Sequence, residues 1–97
     1  MYMNMSFSET LGLEHVPQPN RFSHLLRDRR ERLGLTCQEM SVCAGLGVDT
    51  WSALESCEIL DPTWEMLHRV AAAIDVDAGS LLIIAILSQG ARRLGLR

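Results

Sequence analysis

The sequence predicts an all-α fold, a single domain of five short helices, and three observations carry that prediction. Apolar residues make up 47% of the 97 residues while aromatics make up only 5%, so the core has to be built from Leu, Ile, Val, Ala and Met. These side chains recur at three- and four-residue spacing, the period of a helix face. Helix starts and stops are also written into the chain: Thr36 three residues before Glu39, Asp61-Pro62-Thr63, Asp77, and the glycines Gly45 and Gly90. Ninety-seven residues make one small domain, near the lower end of what supports a core without staples.

Residues 1–19 show no sustained period and contain Pro17 and Pro19, so they read as an N-terminal arm. Tyr2, Phe7, Leu11, Leu13 and Val16 are more apolar surface than a solvated tail needs, which leaves two alternatives open, a poorly ordered tail or an arm that packs in part on the domain or on a second subunit. Helix one is predicted from Asn20 to Leu33, with Phe22, Leu25, Leu26 and Leu33 on one face. Helix two is predicted from Cys37 to Ala44, opened by the Thr36/Glu39 capping box and closed at Gly45, where positive φ costs no Cβ clash. It carries Met40, Cys43 and Ala44 on one side. Helix three, Val48 to Ser56, follows within a few residues and turns Trp51 and Leu54 inward. Two helices joined by a tight turn containing Gly are the helix-turn-helix signature.

Helix four begins after Asp61-Pro62-Thr63, since Pro is tolerated in a first turn and Asp or Thr can cap it. Its stripe is Leu67, Val70, Ala71 and Ile74, and Asp75 stops it by tolerating left-handed geometry. Asp77 caps helix five, which carries Leu81, Leu82, Ile84 and Ala85 and extends towards Gln89 before Gly90 ends it. The run Leu81 to Leu87 is far short of the ~20 residues that span a bilayer. It reads as a core or interface helix, with Leu81, Ile84 and Ile86 as candidates for a dimer interface. The domain is therefore set at residues 20–82, with a C-terminal extension and an Arg-containing tail over 83–97.

Around its centre the chain resembles the Xre family, the Cro and phage-repressor type of helix-turn-helix, whose domain is the five-helix lambda-repressor-like fold. The matching residues are Leu25, Arg30, Leu33-Gly34-Leu35-Thr36, Glu39-Met40, Ala44-Gly45, Trp51-Ser52, Leu54-Glu55, Pro62, and Leu67 through Val70-Ala71 to Ile74 and Val76. No gap is needed between Arg30 and Val76. The resemblance implies that Arg30 and Glu55 form a structural ion pair tying helix three to helix one. It also implies that helix three lies in the major groove of an operator, with its first side chains against base edges. In this chain those are Val48, Asp49, Ser52 and Ala53. Asp49 can accept from cytosine N4, Ser52 can bond to either pair, and Val48 or Ala53 can meet a thymine methyl.

Charge divides the chain. All nine basic residues are Arg and the net charge is −3, which opposes a phosphate backbone globally. Locally, Arg21, Arg27, Arg29, Arg30 and Arg32 face only Asp28 and Glu31 within residues 21–32, a local excess of positive charge. Arg27, Arg29, Arg30 and Arg32 are the candidate phosphate contacts, joined by the Thr36 hydroxyl at the start of helix two. Two departures from the family pattern stand against DNA. Cys37 replaces the Gln usual after the Thr, and the loop after helix three carries Glu58 and Asp61 where cations are common.

Other chemistries find little support. Cys37, Cys43 and Cys57 form no CxxC pair, which fits a reduced, cytoplasmic protein with small semi-buried thiols. His15, His24 and His68 lack ligand spacing, so no metal site or cofactor is expected. No nucleophile sits in a catalytic pattern, and an enzyme is not expected. Trp51 and Trp64 fall at core or rim positions, Trp64 being the more exposed. Two readings follow: a transcriptional regulator binding a double-stranded operator as a homodimer, or a helix-turn-helix that has diverged into a protein-interaction module, an antirepressor or antitoxin-like subunit with a protein partner and weak or no DNA binding.

Overall fold

The computed structural model describes residues 16–59 and 61–93. After a 3-10 turn at Gln18–Asn20 come five helices: α1 Arg21–Leu33, α2 Cys37–Cys43, α3 Thr50–Glu55, α4 Trp64–Ile74 and α5 Ala78–Arg93, with no strand among the described residues. Tyr2, Phe7, Leu11 and Leu13 of the arm, His15, and Arg97 of the tail lie outside them.

The described end of the arm packs on the domain. Val16 is buried in the core and its carbonyl accepts from Arg21 Nε at 2.7 Å. Asn20 gives α1 no side-chain cap. Instead the N–H of Phe22 donates to the buried Ser88 Oγ of α5 at 3.3 Å, so a free helix-start donor becomes a tie across the domain. α1 stops at Gly34, φ 70°, whose N–H returns to Glu31 O.

The capping box of α2 is complete. Thr36 Oγ1 accepts from Glu39 N at 3.1 Å, and Glu39 Oε1 accepts from Thr36 N at 2.8 Å. The Thr36 backbone N–H, and after it the Thr36 hydroxyl, hold the Glu39 carboxyl below its ordinary pKa. Behind the turn, Gly45 has φ 71° and its carbonyl accepts from Arg69 Nη1 of α4 at 3.5 Å. A Cβ there would lie 2.7 Å from the same nitrogen. Gly45→Ala is therefore expected to cost about 1–2 kcal/mol, set by the left-handed backbone rather than by the movable Arg69 side chain. Chemical denaturation checks this, and a change below experimental scatter would contradict it.

α3 is shorter than the sequence suggests at both ends. Thr50 N bonds Gly47 O at 3.0 Å, which places Val48 and Asp49 in the turn before the helix. At the other end Cys57 takes φ 64° and Glu58 N folds back to Ala53 O at 2.9 Å. Thr63 caps α4 by accepting from Met66 N, and Asp75 closes it at φ 55°. Asp77 Oδ2 accepts from Ser80 N at 2.9 Å and opens α5, whose direction differs from that of α4 by 118°. Contrary to the sequence reading, α5 does not end at Gly90 but continues to Arg93. A glycine with room around it and no positive φ weakens a helix by only about 1 kcal/mol and need not stop it.

Leu25, Leu26, Met40, Trp51, Leu54, Val70 and Leu81 form the centre of the core. Three placements correct the sequence reading. Leu33, at the last turn of α1, is exposed, and Cys43 points outward from α2 while Met40 and Ala44 point in. Leu81 and Ile84 are buried in the chain's own core, so neither is available to a dimer partner. Only Ile86 of that trio is exposed, beside Ile83 and Leu87.

Candidate nucleic-acid interface

The position of α3 is set by a buried polar lock. Glu55, on the last turn of α3, has a side chain only 6% exposed. Arg30 Nε donates to its Oε2 at 2.6 Å and Arg30 Nη2 to its Oε1 at 3.1 Å, a two-pronged pairing of guanidinium and carboxylate. The indole Nε1 of Trp51, one turn earlier, donates to Oε2 at 2.6 Å. Arg30 Nη1 donates to Leu35 O at 3.1 Å, which draws in the link between α1 and α2. Burial alone pushes the Glu55 carboxyl up, but the bonds from Arg30 and Trp51 outweigh it and hold the carboxyl below its ordinary value. The same pairing raises Arg30.

A second bond fixes α3 against α2. The buried Ser41 Oγ accepts from Trp51 N at 2.9 Å and so receives one of the free donors at the start of α3. α3 is thus held to α1 through its carboxylate and to α2 through its first turn. Its remaining face points outward.

On that face the structure separates the four base-reading candidates. Val48 is half exposed and Asp49 is exposed, both on the turn; Ser52 is exposed on the helix, and Ala53 is half-buried. Asp49 makes no capping bond. Beside them runs a shallow depression lined by Leu35, Gln38, Glu39, Val42, Cys43 and Val48. Val42, at 68% exposure, is the most exposed large apolar side chain among the described residues.

The phosphate candidates divide in the same way. Arg27 is 56% exposed with Nε 3.5 Å from Glu55 Oε1, and Arg32 is 70% exposed with Nε 3.1 Å from Asp28. Arg30 is committed to the lock, and Arg29 is partly buried with an Nε that meets no acceptor. The Thr36 backbone N–H is taken by Glu39, and its hydroxyl also faces the Glu39 carboxyl. Glu58 and Asp61 are exposed, and Glu58 Oε2 accepts from Ser56 Oγ at 2.6 Å.

Burial, then Glu55, push the Cys37 thiol above its ordinary pKa, away from the thiolate form in which a cysteine reacts. His68 sits edge-on to Trp64, ring centres 4.7 Å apart. Among the described residues no three His, Cys, Asp or Glu side chains gather as a metal site, and no single helix is long and apolar enough to cross a membrane.

Sequence reasoning missed three residues. Gln38, exposed on the rim of the depression, carries the amide that suits adenine; its place on a helix of known register was available from the Thr36 cap. Ser41 and Ser88 tie α3 and α5 to their neighbours, and nothing in a lone Ser announces a partner 10 or 66 residues away.

Five helices, the second and third packed across a glycine turn and the third locked to the first, define a small all-α helix-turn-helix domain. Residues 21–82 match the helix-turn-helix domain family, and the chain belongs to it. No curated protein and no solved structure matches the chain.

Proposed function

We propose that this protein is a transcriptional regulator of the Xre type that binds operator DNA as a dimer, with α3 in the major groove and α1 along the backbone. The observation that carries the reading is the Arg30–Glu55–Trp51 lock, which presents the start of α3 as a rigid outward face while Arg27 and Arg32 stay exposed on α1. A rigid reading element flanked by cations is what phosphate positioning plus base contact requires. The dimer would pair through the exposed strip Ile83, Ile86 and Leu87 of α5, which repeats at helical spacing and so forms one continuous face.

Arg27→Ala and Arg32→Ala are each expected to weaken binding to all DNA sequences alike and to lower the slope of log affinity against log salt by about 1. Filter binding over a salt series measures both. An unchanged slope in both variants would remove α1 from the backbone.

A second reading has its own observation. Val42, on α2, is exposed and apolar where a phosphate backbone would favour polar groups, and Glu58 and Asp61 repel phosphate. These features suit a protein partner on the α2 face, and such an interface would lack a steep salt dependence.

A further inference from the structure

We infer that the start of α3 reads a thymine methyl group through Val48, so that the operator carries thymine at the position facing this side chain. The inference rests on the DNA-binding reading and adds a specificity residue to it.

Val48 is the one large apolar side chain exposed at the entrance to α3, and it is the lip of the depression that continues over Leu35, Val42 and Cys43. Its neighbours at the same entrance are Gly47, which adds no side chain, and the uncapped carboxylate of Asp49. In the major groove the only apolar group among the four standard bases is the C5 methyl of thymine. An apolar lip without Arg, Lys, Asn or Gln on the first turn of α3 can gain free energy from a base edge only by covering that methyl. Asp49 adds a constraint. Its carboxylate is repelled by phosphate and accepts from an exocyclic amino group, so the base beside the thymine is one that donates, cytosine or adenine.

The test uses the full chain and random-sequence DNA duplexes, because the operator is unidentified. Duplexes selected by binding are copied with thymidine or with deoxyuridine, which pairs identically and lacks only the methyl. The inference predicts binding about fourfold weaker for each contacted methyl removed. It also predicts that Val48→Ser, a change on an exposed turn that leaves the circular dichroism spectrum intact, binds the two copies equally. Equal binding of both copies by the unaltered chain overturns the thymine reading and leaves DNA binding standing. Failure to enrich any duplex overturns the DNA-binding reading and the thymine inference with it.

Discussion

Glu55→Ala is expected to destabilise the domain by about 3–5 kcal/mol, the usual cost of removing one partner from a buried ion pair. The substitution strands the Arg30 guanidinium, whose side chain is only 17% exposed, and the Trp51 indole N–H, which is buried. Against a total stability of about 5–15 kcal/mol this is a large fraction. The midpoint of thermal unfolding should fall by about 12 °C or more. Arg30→Ala should cost a comparable amount, and the double variant should cost less than the sum because the second change relieves the unpaired charge left by the first. A loss below about 1 kcal/mol for Glu55→Ala would mean that the pair behaves like an exposed surface bridge.

The same lock sets an acid limit. Because the folded-state pKa of Glu55 is depressed, its stabilisation is fully present above the ordinary carboxylate value of the unfolded chain and is lost as pH falls through the folded value. Glu55→Gln, which cannot titrate, should start less stable at neutral pH and show a flatter decline under acid than the unaltered chain. Parallel declines would place the acid sensitivity elsewhere.

Two substitutions two residues apart on α5 should behave as opposites. Ile84→Asp places a carboxylate in the core, where Ile84 is 3% exposed, and the cost of burying an unpaired charge matches or exceeds the stability of a domain this size. It is expected to abolish the folded state, read as loss of helical circular dichroism. Ile86, at 55% exposure, projects from the same helix into solvent. Ile86→Asp should keep the helix signal and, on the proposed dimer, sediment as a monomer. A folded Ile84→Asp would contradict the packing of α5, and an unchanged dimer in Ile86→Asp would move the interface off this strip.

That pair also shows where the sequence was legible. Thr36/Glu39, Gly45, Thr63, Asp75 and Asp77 act within their own turns, so local chemistry announced them and the helices could be placed in order. Which flank of a nearly all-apolar helix faces inward is decided by the neighbours, and Leu81 to Leu87 offers too little polar contrast to tell. Leu81, Ile84 and Ile86 were therefore indistinguishable, although the first two are core and the third is surface. Gly90 misled for a related reason, since the residue type permits a stop without requiring one.

The candidate site divides similarly. Arg30 and Glu55 came from family resemblance, and the indole bond of Trp51 to the same carboxylate was visible only in three dimensions. Val48 and Asp49 were placed at the entrance to the third helix in the sequence and lie on the turn before it, because the Gly47–Thr50 bond delays the first helical residue. The apolar depression draws on one short window, residues 35 to 48, and Gln38, Glu39, Val42 and Cys43 share a face of α2 that helical spacing could have shown; the fold of the turn that brings Val48 beside them could not be read from spacing.

The most direct test of DNA binding is a titration of the purified full chain against the DNA upstream of its own gene and against unrelated DNA, each at low and near-physiological salt. A regulator of the proposed kind binds the upstream fragment more tightly and keeps that preference at the higher salt. No binding, or binding without preference that disappears as salt rises, would contradict the account and leave the α2 face as a surface for a protein partner.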